Sequence, residues 1–124
     1  MGVAIVTGAG SGIGAATART LSERGDQVVC ADVKLETAER TARSLRDAIA
    51  LEVDVSSAAS CDQMVEGALT AFGDVHSVVT CAGVEKHGAG HEFAEDDFDR
   101  IIAVNLKGTW LSFGPAVLDG NPGK

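Results

Sequence analysis

A glycine-rich turn directly after an apolar run is the feature that most restricts the fold of this chain. Residues 3–6 are apolar, and Gly8, Gly12 and Gly14 follow within the stretch VTGAGSGIG at 6–14. A short apolar run without alternation is typical of a strand buried on both faces of a parallel sheet. Fixing a glycine costs backbone entropy, so these three indicate that something approaches the main chain closely. The pattern predicts a buried strand, a tight turn and a helix.

Buried strands alternate with helices along the rest of the chain. We predict strands at residues 3–7, 27–31, 48–53 and 75–81. Strands that alternate with helices form parallel sheets through right-handed crossovers, with helices covering both faces. The predicted fold is therefore α/β, a doubly wound parallel sheet of the Rossmann type. It occupies a single domain, residues 1–124, with strand order 3-2-1-4.

Apolar residues recur at helical spacing between the predicted strands. A last helix is expected from about 97 to about 118, with Gly108, Gly114 and Pro115 weakening its second half. Gly25 and Gly73 stand where helix C-termini favour a left-handed residue. The three earlier helices each have small or apolar residues on one side: Ile13, Ala16, Thr20 and Leu21; Leu35, Ala38, Ala42 and Leu45; and, after the N-cap candidates Ser56 and Ser57, Cys61, Met64, Val65, Ala68 and Phe72.

Length, composition and charge exclude several classes of protein. The 124 residues carry a formal net charge of −8, so the chain lacks the basic surface that nucleic acid or an anionic membrane requires. No apolar run approaches the ~20 residues of a membrane-spanning helix, and the N-terminus has no signal-peptide pattern. Cys30, Cys61 and Cys81 form no C-x-x-C pair, and their odd number favours reduced thiols. We expect a soluble, cytoplasmic protein.

The glycine turn predicts a site for a diphosphate. In a doubly wound sheet, ligands bind at the carboxyl ends of the strands, where the first turn lies. Backbone N–H groups at a helix N-terminus hold phosphate without help from lysine or arginine. We therefore assign five residues of the turn to cofactor binding, and Gly14 also to tight packing of the helix on the sheet. These residues are Gly8, Ser11, Gly12, Ile13 and Gly14.

An acidic residue after the second strand adds a second, independent signal. Asp32 ends that strand, where a carboxylate accepts hydrogen bonds from an adenosine ribose. Its charge would repel the 2′-phosphate of NADP. The sequence therefore predicts NAD as the cofactor and disfavours NADP, although Lys34 is near enough to keep NADP from being excluded.

The spacing T-G-x-x-x-G-x-G at residues 7–14 resembles the coenzyme motif of the classical short-chain dehydrogenase/reductase family. Three further stretches agree in order: Asp54-Val55 after the third strand, Cys81-Ala82-Gly83 after the fourth, and VNLKG at 104–108. The resemblance covers essentially the whole chain. It implies an oxidoreductase that transfers hydride between a nicotinamide cofactor and the alcohol or carbonyl carbon of a small-molecule substrate.

The resemblance also implies roles for single residues at the cofactor. The family's counterpart of Asp54 hydrogen-bonds the adenine, and that of Val55 packs beside it. Cys81, Ala82 and Gly83 fall in the family's N-N-A-G motif, whose backbone stays close to the cofactor. Both asparagines are replaced here, because the stretch reads Thr-Cys-Ala-Gly.

Asn105 is the one candidate for a role in catalysis. It matches the family's asparagine that helps to position a water leading to the catalytic lysine. The resemblance further implies that the last helix meets its counterpart in another subunit, so we expect a homo-oligomer. We interpret Phe98, Trp110 and Phe113 on that helix as core or subunit-interface residues. His76 stands where the family often has aspartate.

The family's catalytic tyrosine has no counterpart, because the chain contains no tyrosine. Residues 123–124 resemble the turn before the family's fifth strand, whose end carries the catalytic serine. We therefore interpret the chain as a cofactor-binding half, truncated after the fourth strand and the following helix. We expect it to be inactive alone, marginally stable and prone to associate through the open edge of its fourth strand.

Two other functions compete with this interpretation. A catalytically inactive dinucleotide-binding or interaction module is the alternative that stays open. A methyltransferase is disfavoured, because its G-x-G-x-G pattern is not matched. His87 and His91 have the spacing of a metal pair, but Gly88 and Gly90 interrupt any helix there. We predict no metal site and a loop over the ligand side at 83–93.

Overall fold

A computed structural model describes residues 2–83 and 94–119 of the chain. The four strands form one parallel sheet in the order β3-β2-β1-β4. This order and the doubly wound architecture confirm the predicted fold class. The strands are β1 (Val3–Thr7), β2 (Gln27–Asp32), β3 (Ala48–Glu52) and β4 (Ser77–Thr80).

Helices connect the strands and continue beyond β4. They are α1 (Gly12–Glu23), α2 (Leu35–Arg43), α3 (Ala58–Phe72), α4 (Glu95–Ile101) and α5 (Gly108–Asp119), with a π-helical turn at Ile102–Lys107 between the last two. The hydroxyl of Ser57 caps α3 by accepting the Ser60 N–H at 3.2 Å. Gly73 ends α3 in the left-handed conformation, as its position predicted.

The strand β1 lies at the centre of the sheet and is buried along its whole length. Its side chains alternate between two cores, one on each face of the sheet. Ile5 packs with the inner side of α3, including Met64 and Val65. Val6 packs on the opposite face with Ala18 of α1 and Ala38 of α2. Two covered faces explain why β1 is an unbroken apolar run.

The buried side of α1 differs from the side that the sequence suggested. Ile13 is 79% exposed, and Ala16 and Thr20 are also exposed. The residues that α1 buries are Gly14, Ala15, Ala18 and Ser22. Of the four residues on the predicted side, Leu21 does pack against the core and is partly buried. Small side chains allow α1 to lie close to the sheet, so the prediction was wrong for the other three.

The last helix also differs from its prediction. It begins at Glu95, two residues before the expected start, and its geometry changes at Ile102–Lys107 and not at Gly114 or Pro115. The aromatic residues on it are exposed: Phe98 by 55%, Trp110 by 73% and Phe113 by 41%. Their interpretation as core residues is therefore wrong.

His76 fastens the start of β1 to the start of β4. Its Nδ1 accepts the Val3 N–H at 2.9 Å, and its own N–H donates to the Val3 carbonyl at 2.8 Å. Its Nε2 lies 3.4 Å from Asp74 Oδ2. An imidazole thus supplies the acceptor at a position where the resembling family often has a carboxylate.

All three cysteines are free thiols, and two are buried. Burial raises the pKa of the Cys30 thiol to about 11. Burial also raises the pKa of the Cys61 thiol, while a hydrogen bond with Ser112 acts in the opposite direction. Both side chains therefore stay protonated at neutral pH and behave as small apolar residues of the core.

The sequence predicts neither a membrane-spanning helix nor a metal site. No helix within residues 2–83 and 94–119 is long and apolar enough to cross a bilayer. The candidate metal pair His87 and His91 and most of the predicted loop lie outside the described residues. Within the described part of the chain, no group of three or more histidine, cysteine or acidic side chains could hold a metal ion.

The open edge of β4 leads to the first testable prediction. In the described part of the chain, β4 pairs with β1 and has no strand on its other side. Unpaired N–H and C=O groups on such an edge recruit further strands. We expect the purified chain to associate reversibly, so that its thermal unfolding midpoint rises with protein concentration. A sharp transition of a monomer at the same midpoint over a hundredfold dilution would contradict this.

Candidate functional site

A cleft of about 980 Å³ opens at the carboxyl ends of the four strands. A smaller hollow of about 230 Å³ lies elsewhere, between the C-terminal half of α1 and residues 44–46, which follow α2. The sequence predicted the larger cleft, and each residue that it assigned to the cofactor lines it. These residues are Gly8, Ser11, Gly12, Ile13, Gly14, Asp32, Asp54, Val55, Cys81, Ala82 and Gly83.

Gly8 is the point at which the ends of β1 and β4 meet. A Cβ atom at Gly8 would lie 2.6 Å from the Ala82 nitrogen and from the Cys81 carbonyl carbon, and φ is +68°. The Cys81 N–H donates to the Thr7 carbonyl at 3.1 Å. A Cβ atom at Gly14 would overlap the Gly8 carbonyl. Contacts within the protein thus require glycine at both positions, whether or not a ligand is bound.

Gly12 is different, because the space beside it is open. Its φ is +55°, and a Cβ atom there would meet no atom within 4 Å. Ser11, the N-cap of α1, makes no side-chain capping bond, and the first turn of α1 has no acidic residue. The first N–H groups of α1 therefore face the cleft without a capping side chain, beside a position where a ligand can approach the main chain.

Asp32 forms one wall of the cleft and is already oriented. Its Oδ2 accepts the Gly10 N–H at 2.9 Å, and its Oδ1 accepts the Lys34 N–H at 3.1 Å. A carboxylate offers about four acceptor positions, so two remain for a ligand. The first of these bonds also joins Asp32 to the glycine turn.

Asp54 and Val55 form the wall after β3. Asp54 Oδ1 accepts the Ser56 N–H at 3.0 Å, and the Ser60 hydroxyl accepts the Asp54 N–H at 2.9 Å. Val55 is 6% exposed. A Cβ atom at Gly108 would lie 2.7 Å from Val55 Cγ2, so the side chain of Val55 packs against the first residue of α5.

Asn105 lies in the π-helical turn and is not part of the cleft lining. Its neighbour Val104 does line the cleft. A Cβ atom at Gly83 would lie 3.4 Å from Asn105 Oδ1, which places this side chain beside the turn after β4. Single π-helical turns occur often at functional sites.

The structure adds lining residues that the sequence did not assign to the cofactor. Val33 follows Asp32 and is 64% exposed, so its position after a strand end could have identified it. Arg100 and Val104 lie one helical turn apart, and no local pattern separates them from other helix residues. The additional lining residues are Val33, Lys34, Thr37, Val53, Ser56, Arg100 and Val104.

Comparison with known proteins identifies the family to which a chain with this glycine turn and cleft belongs. The model of the short chain dehydrogenase family matches residues 2–117. The chain belongs to this family. The match includes the four described strands, the helices α1 to α4 and α5 up to residue 117.

Two relatives illustrate the range of reactions within the family. The chain is 42% identical over 114 residues to cis-4-hydroxycyclohexanecarboxylate dehydrogenase of Sinomonas cyclohexanicum, covering 88% of this chain and 45% of the relative. It is 37% identical over 121 residues to the human (3R)-3-hydroxyacyl-CoA dehydrogenase, covering 88% of this chain and 46% of the relative.

A solved structure has the same fold. The crystal structure of a hydroxysteroid dehydrogenase from Escherichia coli superimposes with a TM-score of 0.87 at 25% sequence identity, covering 92% of this chain and 50% of that one. The chain therefore spans about half the length of the family members that it matches.

The glycines of the turn give the second prediction. Replacing Gly12 by alanine adds only left-handed strain, about 1–2 kcal/mol. Replacing Gly8 by alanine adds the same strain and an overlap with the backbone of the turn after β4, together about 2–5 kcal/mol. We expect urea unfolding to rank the stabilities as wild type, then Gly12→Ala, then Gly8→Ala.

Gly114 is the matched control for this series. It lies inside α5, and a Cβ atom there would meet nothing within 4 Å. Alanine at this position avoids the entropy cost of glycine, but the ring of the following Pro115 disfavours the helical conformation of a residue that has a Cβ atom. These effects oppose each other, so stability should change by less than about 1 kcal/mol. Equal losses for the Gly8 and Gly12 variants would show that the contact between β1 and β4 does not require glycine.

Proposed function

We propose that the chain binds NAD in this cleft and forms the cofactor half of a dehydrogenase that acts on an alcohol or carbonyl compound. One observation carries the proposal: the N-terminus of α1, without a side-chain cap, lies at the open position beside Gly12 in a member of a dehydrogenase family. The cofactor supplies hydride acceptance and donation. The residues of this chain hold and orient it.

Backbone N–H groups of the glycine turn and of α1 would bind the diphosphate. The α1 dipole favours negative charge at this end, and oriented N–H groups supply the hydrogen bonds. The formal net charge of −8 makes the surface unfavourable for anions in general. Binding of a dinucleotide must therefore depend on local groups, which restricts it to this position of the cleft.

Asp32 would accept hydrogen bonds from the adenosine ribose. Its two bonds to the backbone orient the carboxylate and leave acceptor positions for the two hydroxyls. A 2′-phosphate at the same place would face a negative charge, which favours NAD over NADP. Lys34 also lines the cleft and reduces this repulsion.

The walls after β2 and β3 would hold the adenine. The exposed side chain of Val33 offers an apolar surface to a base, and Asp54 offers an acceptor for its amino group. The N–H and the hydroxyl of Ser56 both donate to Asp54 Oδ1, so neither of these hydrogen bonds involves Oδ2. Val55 would contribute its backbone, because its side chain packs on α5.

Hydride transfer would require residues outside these 124. Without tyrosine, the chain has no counterpart of the family's general acid/base. We propose that Asn105, beside the turn after β4, would help to place a water for the catalytic lysine of the complete protein. A serine and a Tyr-x-x-x-Lys pattern in the coding sequence beyond Lys124 would support this, and their absence would favour an inactive dinucleotide-binding module.

Nucleotide titration gives the third prediction. Calorimetry should show that the wild type binds NAD more tightly than NADP. Gly12→Val should weaken both by more than about tenfold, because a branched side chain at a left-handed position fills the open space beside α1. Asp32→Ala should weaken NAD by roughly tenfold, the value of a charged hydrogen bond, and weaken NADP much less.

Asp62→Ala is the control for charge, because Asp62 is exposed on α3 and does not line the cleft. It should leave both affinities unchanged. A wild type that binds neither nucleotide would overturn the proposed function. An unchanged ratio of NAD to NADP affinity in Asp32→Ala would overturn the role of Asp32 alone.

We also propose that the complete protein is a homo-oligomer that uses the last helix. Large exposed apolar patches are uncommon on monomers and mark interaction surfaces. Apolar side chains at spacings of four, four, four and three are exposed along α4, the π-helical turn and α5. They are Phe98, Ile102, Leu106, Trp110 and Phe113, which we call the apolar stripe.

A charge in the apolar stripe gives the fourth prediction. In the complete protein, Trp110→Glu should lower the sedimentation-derived association constant by at least about tenfold, because the interface would then bury an unpaired carboxylate. Ala16→Glu adds the same charge on the exposed side of α1 and is the control. Equal association of the two variants would show that self-association does not use the apolar stripe.

A further inference from the structure

The part of the glycine turn between Gly8 and Gly12 is held by β2 and α2. The Ala9 N–H donates to the Ala31 carbonyl at 3.0 Å. The Ala9 carbonyl accepts the hydroxyl of Thr41, a residue of α2, at 2.9 Å. The next peptide is held by the bond from the Gly10 N–H to Asp32. The N–H of Ala9 is thus hydrogen-bonded to β2, and its carbonyl is hydrogen-bonded to α2.

Thr41 is buried and does not reach the ligand cleft. It is 3% exposed, among Ala38 and Ala42 on the inner side of α2. Its hydroxyl also lies 3.3 Å from the Thr37 carbonyl, one turn earlier in the helix. The bond to Ala9 is shorter and crosses from α2 to the glycine turn. A buried carbonyl without a donor is costly, so the Ala9 carbonyl depends on this hydroxyl.

Thr37, also a residue of α2, packs against the same turn at Gly10. A Cβ atom at Gly10 would overlap the Thr37 hydroxyl and lie 2.8 Å from Asp32 Oδ2. The Thr37 hydroxyl donates to the Lys34 carbonyl at 2.9 Å, which fixes its direction. The backbone at Gly10 is therefore confined between Thr37 of α2 and Asp32. Gly10 fits this space because it has no side chain.

We propose that Thr41 is a positioning residue for diphosphate recognition. By holding the Ala9 carbonyl, its hydroxyl sets the orientation of the peptides that lead to Gly12 and to the first N–H groups of α1. A turn that is held in its binding shape loses less entropy when a ligand binds. The inference rests on the proposed function, because it assigns the cause of phosphate affinity to a residue outside the cleft.

A structural role alone would produce a different pattern. If Thr41 only supported the packing of α2 on the sheet, its loss would weaken every ligand of the cleft by the same factor. A positioning role for the turn affects ligands in proportion to their use of the turn. ADP and adenosine separate the two cases, because they share the base and ribose and only ADP has a diphosphate.

The fifth prediction compares proteins that have a side-chain hydroxyl at position 41 with variants that lack it. Thr41→Val keeps the shape of threonine and removes the donor. We expect it to weaken ADP binding by roughly three- to tenfold, the range of one lost hydrogen bond. Adenosine binding should change by less than about twofold. Thr41→Ser and Thr41→Ala form a second pair, in which serine should retain ADP affinity and alanine should lose it.

Thr20→Val is the matched control. The Thr20 hydroxyl donates to the Ala16 carbonyl at 3.1 Å within α1, on the exposed side of that helix. Its loss removes the same chemical group without touching the turn, so ADP affinity should stay at the wild-type value. Titrations followed by NMR chemical shifts report the folded state and the affinity in the same sample.

The outcomes separate this inference from the proposed function. A wild type that binds neither ADP nor NAD overturns the proposed function. If the wild type binds ADP, and Thr41→Val and Thr41→Ala bind it as tightly as the wild type does, the positioning role alone is overturned. Equal weakening of ADP and adenosine, or failure of both hydroxyl-free variants to fold, would also overturn it, because Thr41 would then be structural.

Discussion

The contact between the main chain at the ends of β1 and β4 is the constraint on which the cleft depends. Gly8 meets the backbone of Cys81 and Ala82 without room for a side chain, and the Gly8 carbonyl occupies the space that a side chain at Gly14 would need. These contacts set the direction in which α1 leaves the sheet. The N–H groups at its first turn consequently point into the cleft.

The proposed recognition of a diphosphate by backbone groups suits a chain with a formal net charge of −8. The many acidic residues would counteract the attraction of a cationic patch for an anion, whereas N–H groups and a helix dipole act only at short range and in one direction. Their direction has to be maintained by the protein itself. Hydrogen bonds from the Ala9 and Gly10 peptides to β2, α2 and Asp32 meet this need, so the residues proposed to bind the diphosphate and the ribose belong to one connected structure.

Much of the fold and of the cleft could be predicted from the sequence, because they depend on short local patterns. Apolar runs located the strands, and the order of the glycine turn, Asp32 and Asp54 placed those residues at the carboxyl ends of parallel strands. Most of the predicted side of α1 was wrong, because α1 packs on the sheet mainly through small residues, and Leu21 is the only member of the predicted set that contacts the core. The aromatic residues of the last helix were interpreted as core or subunit-interface residues, and their exposure in the structure contradicts the first of these two alternatives.

The sequence by itself determined the alternation of strands and helices, the family resemblance, and the lining residues of the glycine turn and the strand ends, since each is encoded by spacing along the chain. Arg100 and Val104 were added to the lining only by the tertiary structure. Only the tertiary structure decided why individual glycines are needed. Gly8 and Gly14 make room for other main chain, Gly10 for Thr37 and Asp32, and Gly12 alone of these faces open space. The bond from Thr41 to Ala9 joins residues 32 positions apart, and no local pattern can reveal a contact that forms only when α2 packs against the first turn.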